Sequence, residues 1–274
     1  MKKQDIKKIV KKGYSKIAKG ECSTSCCGGT SADSSVNISK KIGYSDQELA
    51  IAPQGANLGL GCGNPVALAS LKEGETVLDL GSGAGFDCFI AANKVGASGK
   101  VIGVDMTPSM IEKARLIAKK NNYKNVEFRL GEIENLPVAD NSIDVIISNC
   151  VINLSPDKEK TFKEAYRVLK PGGRFIISDL VILNELPDEI RNSVEGYIGC
   201  ISGAMLKSNY IRAIKNANFI NVEIISETPF PLDCMLNDAT AIALIKSINL
   251  PFEKIQEIIM NSIVSIKVRG EKAR

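Results

Sequence analysis

The stretch VLDLGSGAGFDCF at residues 77–89 decides the fold. Its apolar start predicts a buried strand, and Gly81, Gly83 and Gly85 predict a tight loop that a ligand can approach closely. A helical pattern follows, so free backbone N–H groups at the helix start would face the same space. The GxGxG spacing with Asp79 ahead of it differs from the GxGxxG of dinucleotide-binding proteins, and taken alone it is a weak indication of any particular ligand.

Strand and helix patterns alternate from this stretch onward. Apolar runs typical of buried strands occur at 76–80, 100–105, 125–130, 143–148 and 173–179. Helical spacing occurs at 86–95, 108–121 and 157–169. The series predicts an α/β, Rossmann-like fold with a mostly parallel, seven-stranded sheet and right-handed crossovers. Pro171-Gly172-Gly173 indicates a turn before the fifth strand, and stretches at 219–227 and 228–234 are expected to close the sheet as an antiparallel hairpin.

The remaining segments surround this sheet. Apolar residues at helical spacing predict a helix at 3–19, and the run from Ser23 to Asn37, rich in Ser, Gly and Thr, predicts a flexible segment. Other elements are expected as helices at 46–52, 65–71, 187–197, 208–217, 236–248 and 251–265, and as a glycine-rich loop at 55–65. We therefore expect a helix and cysteine-bearing arm over 1–43, a ligand-binding domain over 44–185, and a region over 186–274 that completes the sheet and adds substrate-binding and C-terminal helices.

Composition narrows the class of protein. The chain has 274 residues, 44% hydrophobic and 24% charged, which suits one α/β domain with a modest addition. The net charge of +4 owes much to lysines near the N-terminus, which without interleaved aromatic residues indicate a solvated helix face rather than a nucleic-acid surface. No apolar run reaches the roughly 18 residues of a membrane span, and no signal-peptide pattern occurs. We expect a cytoplasmic protein without nucleic-acid or membrane partners.

Eight cysteines and the absence of histidine restrict the chemistry. Cytosolic thiols stay mainly reduced, and no CxxC pair occurs, so the cysteines indicate soft-ligand or redox chemistry rather than structural disulfides or a zinc finger. Without histidine, imidazole base catalysis, Ser-His-Asp hydrolysis and His-metal centres are excluded. A reaction with a good leaving group and an unprotonated nucleophile requires none of these.

Polar side chains follow the predicted strands. In open α/β sheets ligands bind at the carboxyl ends of the strands, so the thiol of Cys150, just after the fourth strand, should face the same crevice as the glycine loop. Asp105 ends the second strand, where a carboxylate can accept hydrogen bonds from both hydroxyls of a ribose. Glu132, after the third strand, is placed to flank an adenine, although an ordinary solvated carboxylate fits it equally well.

With these residues the chain resembles the class I S-adenosylmethionine-dependent methyltransferases over about residues 75–180. The resemblance rests on the acidic GxGxG loop, Asp105, the LKPGG turn at 169–173 and the strand order. It implies S-adenosylmethionine as the cofactor. The residues expected to bind it are Asp79, Gly81, Ser82, Gly83, Gly85, Asp105, Met106, Glu132, Ile133 and Asn149.

Three cysteine segments are similar to those of arsenite methyltransferases, over about residues 44–220. They are NLGLGCGNP around Cys62, ISNCVINLSPDKEKTFKEAYRVLKPGG around Cys150 and GYIGCISGA around Cys200. The similarity implies that these three cysteines are catalytic and bind trivalent arsenic, and that an external thiol of the glutathione or thioredoxin type acts as reductant. Thiolates are soft ligands that favour a soft metalloid over an alcohol or amine, which supports the assignment on chemical grounds.

The other cysteines have different surroundings. Cys26 and Cys27 correspond by the resemblance to a further cysteine of the family, and as part of a Ser- and Gly-rich segment they fit either a mobile arm or an unstructured one. Cys88 lies among apolar residues of the helix after the glycine loop and is expected to be a small buried hydrophobe. Cys234 follows PFPLD without a partner pattern and is also expected to be structural.

The resemblance implies methyl transfer to arsenic. The lone pair of arsenic(III) held by thiolates would attack the sulfonium methyl, which requires no general base, and the protein would contribute proximity and alignment. Nearby N–H groups or positive charge should favour thiolate formation. Many eukaryotic members have Tyr where this chain has Leu60, so no aromatic contact to the methyl is assigned there, and Tyr44 is the alternative aromatic.

Two other functions stay open from the residues alone. A methyltransferase for a small organic acceptor such as a quinone would use the same loop and leave the cysteines without a role, although aromatics make up only 5% of the chain. A thiol-rich metalloid-binding protein without turnover would use the cysteines and keep only the fold. The number of methyl groups transferred is likewise open.

Overall fold

A seven-stranded sheet in the order β3-β2-β1-β4-β5-β7-β6 forms the centre of the computed structural model, which describes residues 3–20, 32–191, 200–229 and 251–274. The strands are β1 (Thr76–Leu80), β2 (Lys100–Asp105), β3 (Val126–Leu130), β4 (Ile143–Asn149), β5 (Leu169–Ile182), β6 (Ile220–Pro229) and β7 (Ile263–Glu271). The first five are parallel, and β7 runs antiparallel to both β5 and β6. The predicted Rossmann-like class and the mostly parallel sheet are confirmed.

Helices cover both faces of this sheet. They are α1 (Lys3–Lys19), α2 (Ala32–Lys41), α3 (Asp46–Ile51), α4 (Pro65–Leu68), α5 (Phe86–Val95), α6 (Pro108–Lys120), α7 (Lys158–Val168), α8 (Asp188–Arg191), α9 (Lys207–Asn216) and α10 (Phe252–Ser262). Val77 of β1 is buried with α5 and α6, whereas Leu78 is buried on the opposite face with α7 and α9. Strands buried on both faces are typical of parallel sheets, which explains their continuous apolar runs.

Caps anchor the segment that leads into β1. Ser45 and Glu48 form a reciprocal capping box at the start of α3, and Asn64 caps α4 by accepting a hydrogen bond from Ala67 N. The amide of Asn64 also donates to Glu48 Oε2 at 2.9 Å. Because each cap satisfies backbone N–H groups that would otherwise lack a partner, the glycine-rich loop between these helices has fixed ends.

The closing hairpin was predicted with the wrong partner strand. β6 agrees with the stretch predicted at 219–227, but its partner is β7, which the sequence pattern had placed partly in a helical tail. β7 also pairs with Arg174 to Ile182 of β5, so it lies between β5 and β6. A periodic apolar pattern does not reveal which strand pairs with which, because that depends on contacts distant in sequence. Residues 230–234 and the helix expected at 236–248 lie outside the described residues.

The turn expected at Pro171-Gly172-Gly173 is absorbed into β5. The pairing of β4 with β5 shifts from Ile143 opposite Leu169 to Val145 opposite Arg174, so the extra residues form a bulge. Gly172 has φ 78°, which a side chain would strain. The PGG signal therefore indicated a real irregularity but not the end of an element.

Two segments outside the sheet also differ from expectation. The stretch from Ser23 to Asn37 was predicted as flexible, yet α2 begins at Ala32. The cysteines at 22, 26, 27 and 234 lie outside the described residues, as does the part of the helix expected at 187–197 that follows α8. In the part of the chain that the structure describes, no helix is both long and apolar enough for a membrane span.

Candidate active site

A cavity opens at the carboxyl ends of β1, β2 and β4. Most of the predicted cofactor residues line it, together with one cysteine: Asp79, Gly81, Ser82, Gly83, Asp105, Met106, Ile133, Asn149 and Cys150. This is the edge at which the strands of an open α/β sheet present ligand-binding residues.

The glycine loop after β1 has the backbone that the sequence predicted. Gly81 has φ 68°, its N–H donates to Val104 O at 2.7 Å, and a Cβ at this position would overlap the side chain of Val151. Gly83 has φ 51° but faces open space. The hydroxyl of Ser82 is buried without a protein partner. The loop therefore offers a polar atom and an unobstructed backbone to a ligand.

Gly85 does not line the cavity, and it supports the packing of α5 instead. It has φ 92° at the start of α5, and a Cβ there would lie 2.6 Å from Phe128 and 2.9 Å from Phe89. The glycine thus allows the helix to pack closely on the aromatic side chains behind the loop. Its cofactor contact stays a prediction.

Three buried carboxylates surround the cavity: Asp79, Asp87 and Asp105. Burial raises the pKa of each, to about 6 for Asp87. Of the ion pairs in the described ranges, none includes Asp79 or Asp87. A cation in the cavity would stabilise their ionised forms, so the cavity suits a positively charged ligand.

Asp105 already holds the backbone of the site. Its Oδ2 accepts from Gly83 N at 3.0 Å and its Oδ1 from Thr107 N at 2.7 Å. Because a carboxylate has about four acceptor positions, capacity remains for ribose hydroxyls. The ribose contact stays a prediction, and the structure adds a second role in which Asp105 shapes the loop.

Glu132 lies outside the lining, in contrast to its neighbours Ile133 and Glu134. Its Oε2 accepts from Lys7 Nζ at 2.7 Å, and this hydrogen bond lowers the pKa of Glu132. Glu134 is 5% exposed, accepts from Ser155 Oγ at 2.6 Å and pairs with Lys7 at 3.1 Å. Of the two, Glu134 is the carboxylate that faces the cavity.

Helix α1 covers the cavity, which the sequence did not predict. Lys7, Val10 and Tyr14 are part of the lining, and Val10 is 1% exposed. The ion pairs of Lys7 with Glu132 and Glu134 join this helix to the loop after β3. A ligand in the cavity would therefore lie beneath α1.

The three predicted arsenic ligands meet beside the cavity. Cys62, Cys150 and Cys200 are reduced and buried, and they belong to one apolar cluster. The thiol of Cys150 is in hydrogen-bonding contact with the thiols of the other two, and these contacts raise its pKa well above the ordinary value, with burial adding to the effect. The structure therefore brings together the three cysteines that the sequence singled out.

Two of these cysteines have a strained backbone. Cys150 has φ 58° and Cys200 has φ 64°, in the left-handed region that residues with a side chain rarely adopt. The strain is held by Cys150 N, which donates to Ser178 O at 2.8 Å, and by Cys200 Sγ, which donates to Cys150 O at 3.0 Å. Strain that surrounding contacts maintain is typical of functional positions.

Two of the three thiols, those of Cys62 and Cys150, have a raised pKa and therefore favour the protonated form. At Cys62 burial outweighs the hydrogen bonds that lower its pKa, and at Cys150 the contacts with the other two thiols raise the pKa, so the expected net stabilisation of a thiolate is not found at either residue. Across the described ranges, no group of three or more His, Cys, Asp or Glu side chains has the arrangement of a metal-ion site. A thiophilic ligand would have to displace the protons and turn the sulfurs toward itself.

A buried polar group beside the thiols was missed by the sequence prediction. Asp179 is fully buried, burial raises its pKa to about 7, and it accepts from Tyr210 Oη and Leu180 N, each at 3.0 Å. Burial lowers the pKa of Lys158 to about 8. Asp179 ends the strand predicted at 173–179, so the strand-end rule applied to Cys150 would have found it as well.

Asn149 joins the cavity to the thiol site. Its Oδ1 accepts from Cys62 N at 3.0 Å, and its Nδ2 lies 2.7 Å from Gly63 O. The same Nδ2 lies 3.0 Å from Tyr44 Oη and 3.2 Å from Asp87 Oδ2. Tyr44, the predicted alternative aromatic, lines the cavity and donates to Asp87 Oδ1 at 2.6 Å.

Comparison with known proteins identifies the family. A family described as a methyltransferase domain matches residues 71–221. The crystal structure of an arsenic(III) S-adenosylmethionine methyltransferase from Chlamydomonas reinhardtii superposes with TM-score 0.64 and 32% identity, over 87% of this chain and 74% of that one. The chain belongs to the family of arsenic(III) S-adenosylmethionine methyltransferases.

Curated members of this methyltransferase family include longer proteins. The arsenite methyltransferase of Halobacterium salinarum is 47% identical over 232 residues, which is 81% of this chain and 59% of that protein. The arsenite methyltransferase of Homo sapiens is 42% identical over 154 residues, 53% of this chain and 40% of the human protein. The chain thus spans roughly half the length of the curated family members it matches.

Proposed function

We propose that the chain transfers the methyl group of S-adenosylmethionine to trivalent arsenic bound by Cys62, Cys150 and Cys200. The observation that carries the proposal is the contact among three buried thiols at a cavity that the glycine loop lines. The similarity to arsenite methyltransferases supports it. The thiols select a soft metalloid, and the cavity beside them suits a cationic nucleoside.

The residues of the cavity fit S-adenosylmethionine, which when bound supplies an electrophilic methyl group on a sulfonium. The glycine loop and Asp105 would hold the nucleoside, with Ser82 Oγ as an available polar partner. Asp79 and Asp87 would favour its positive charge. The thiols would pass their protons to the hydroxide or small thiolate that arsenic releases. They would hold arsenic with its lone pair free to form the new bond to the methyl carbon, while the sulfur–methyl bond breaks and S-adenosylhomocysteine leaves.

We also propose that an external thiol of the glutathione or thioredoxin type completes the cycle. Donation of the arsenic lone pair to a methyl group oxidises arsenic(III) to arsenic(V), so two electrons are required to restore the trivalent state. In this scheme Cys26 or Cys27 of the arm over 1–43 takes part, the region over 44–185 binds the cofactor, and the region over 186–274 contributes to the substrate side. The reaction would take place in the cytoplasm, where thiols are kept reduced.

The proposal is tested by incubating the protein with arsenite, reduced glutathione and methyl-labelled S-adenosylmethionine, then separating arsenic species by chromatography with elemental detection. We expect labelled methylarsenicals, whose composition also gives the number of methyl groups. Cys150→Ser should abolish the product while cofactor affinity changes less than about 2-fold, because the other cavity contacts remain.

The matched control is Cys88→Ser. Cys88 is a buried thiol that donates to Asp79 Oδ2 at 3.2 Å, and a serine hydroxyl can replace that donor. This variant should retain arsenite binding. Bound arsenite without methylated product would favour the metalloid-binding alternative, and label transferred to an added quinone would favour an organic acceptor.

A further inference from the structure

We propose that the Asn149 carboxamide couples the cofactor cavity to the arsenic ligands, so that a cationic ligand in the cavity strengthens arsenite binding. This inference rests on the proposed function, since it takes Cys62 as an arsenic ligand. It goes beyond that function because it assigns Asn149 a positioning role and predicts a thermodynamic link between two binding events.

The carboxamide is shared between the two sites. On the thiol side, Oδ1 and Nδ2 form hydrogen bonds with Cys62 N and Gly63 O. On the cavity side, Nδ2 is within hydrogen-bonding distance of Tyr44 Oη and Asp87 Oδ2. A single planar group therefore contacts the backbone of a proposed ligand and the wall of the proposed cofactor site.

The amide nitrogen has more acceptors than hydrogens. Nδ2 carries two N–H donors, whereas three acceptors lie within 3.2 Å: Gly63 O, Tyr44 Oη and Asp87 Oδ2. The hydrogen bonds to the loop and to the cavity wall consequently compete. If a cation binds Asp87, it replaces the Asn149 amide as the partner of the carboxylate. Both N–H groups of Nδ2 can then donate to Gly63 O and Tyr44 Oη.

The loop around Cys62 is placed to respond to this change. A Cβ on Gly61 would lie 2.6 Å from Asn149 Nδ2, and a Cβ on Gly63 would lie 2.5 Å from Ser178 Oγ. The loop therefore packs closely on the side chains of Asn149, at the end of β4, and Ser178, within β5, and leaves no room for a side chain at either glycine. Cys62 N and O are fixed by Asn149 and by Ser265 Oγ, the latter at 3.0 Å.

The charge of the cavity sets the sign of the coupling. Asp87 and Asp79 have no ion pair within the described residues. A cation in the cavity can therefore bind the Asp87 carboxylate, and it then competes with Asn149 Nδ2 for that group. A stronger hold on the loop pre-positions Cys62 and reduces the ordering that arsenite binding requires. Because coupling is reciprocal, bound arsenite must raise affinity for the cationic ligand by the same factor.

The test measures binding without turnover. Arsenite affinity is determined by equilibrium dialysis with elemental detection, with and without saturating sinefungin, a charged analogue of the cofactor that has no methyl group to transfer. We expect sinefungin to increase arsenite affinity at least about 5-fold, the lower end of typical allosteric coupling. Sinefungin affinity measured by calorimetry should rise by the same factor when arsenite is bound.

Two variants locate the coupling. Asn149→Ala removes the shared amide, and Asp87→Asn keeps the side-chain shape but removes the charge, so in both the factor should fall to near 1. The control is Asn125→Ala, because Asn125 also donates to two backbone carbonyls, of Ala92 and Gly96, at the opposite edge of the sheet. It should keep the wild-type factor.

The outcomes separate this inference from the proposed function. If the wild type binds arsenite and sinefungin independently, or if Asp87→Asn keeps the full factor, the coupling is overturned while the proposed function stands. If the wild type fails to bind arsenite at all, both fail together. If Asn149→Ala does not fold, the coupling factor measured for Asp87→Asn decides whether the inference holds.

Discussion

The cofactor cavity and the thiol site share one wall but are built differently. The glycine loop that lines the cavity belongs to one continuous segment, Asp79 to Asp87, and its contact with Asp105 is made through the backbone N–H of Gly83. The thiol site takes three cysteines from distant parts of the chain and depends on hydrogen bonds to β5 and β7. The glycine loop is therefore most sensitive to changes within its own segment, whereas the thiol site is sensitive to changes far from it in sequence.

The largest expected effect concerns the backbone of the glycine loop. Gly81→Ala would add the strain of a left-handed residue, about 1–2 kcal/mol, to an overlap with Val151, so we expect roughly 3 kcal/mol of lost stability and no measurable cofactor binding. Gly83→Ala has similar strain but open space around it, and should cost about 1 kcal/mol. Urea denaturation and calorimetry with S-adenosylhomocysteine measure both. Equal losses for the two variants would show that the overlap is unimportant.

The second prediction concerns the buried acid beside the thiols. Because the folded pKa of Asp179 is raised to about 7, its contribution to stability is fully present below about pH 4 and is lost as the pH rises to and through about 7. Asp179→Asn cannot titrate, so its stability should vary less between pH 5 and pH 8 and exceed the wild type at pH 8 by roughly 2–4 kcal/mol.

Denaturation across this pH range measures the difference between wild type and Asp179→Asn. Asp140→Asn is the control, since Asp140 is an exposed acid paired with Arg167. Parallel pH profiles for wild type and Asp179→Asn would contradict the assignment of the titration to Asp179.

A smaller effect is expected where β7 supports the thiol site. Ser265→Ala removes the hydrogen bond from Ser265 Oγ to Cys62 O, worth about 1 kcal/mol, so arsenite affinity should fall about 5-fold with cofactor affinity unchanged. Equilibrium dialysis and calorimetry give the two affinities. Ser142→Ala, which removes an exposed hydroxyl bonded to Ala139 O, is the control. An equal loss of cofactor affinity in Ser265→Ala would contradict this contrast, because it would show that the cofactor cavity also depends on β7.

The smallest effect is expected at the helix that covers the cavity. Lys7→Met removes the partly exposed ion pairs to Glu132 and Glu134, each worth about 0.2–1 kcal/mol, so cofactor should dissociate about 2–5-fold faster at low salt. Added salt should bring the wild type closer to the variant, because screening weakens such pairs. Stopped-flow displacement measures the rate, with the exposed neighbour changed in Lys8→Met as control. A rate that is unaffected by salt would show that α1 is held by its apolar face alone.

Local sequence signals predicted the glycine loop and the parallel strands around the cavity well. The glycine spacing, Asp105 and the alternation of strand and helix all depend on nearby residues, and the predicted loop and strands agree with the structure. The cysteine segments indicated a shared site only through resemblance, since no local rule brings Cys62, Cys150 and Cys200 together. Their contact is produced by the sheet and by the loop that precedes it.

Long-range pairing explains most of what could not be predicted. The place of β7 between β5 and β6 depends on which edges remain free after the parallel strands have formed, and this information is absent from a periodic pattern. For the same reason Ser265 gave no signal as a partner of Cys62. Asp87 was equally inconspicuous, and Tyr44 was noted only as an alternative aromatic, because the contacts of both residues with Asn149 are tertiary.

The late position of β7 in the sequence has a consequence for biosynthesis. The glycine loop and the parallel strands leave the ribosome well before Ile263, and at about 5–20 residues per second several seconds separate β5 from its antiparallel partner. During that interval β5 would have an unpaired edge, the kind of surface on which other chains can add strands. The nascent protein would then have the glycine loop in place but an aggregation-prone edge on β5, which the pairing with β7 covers.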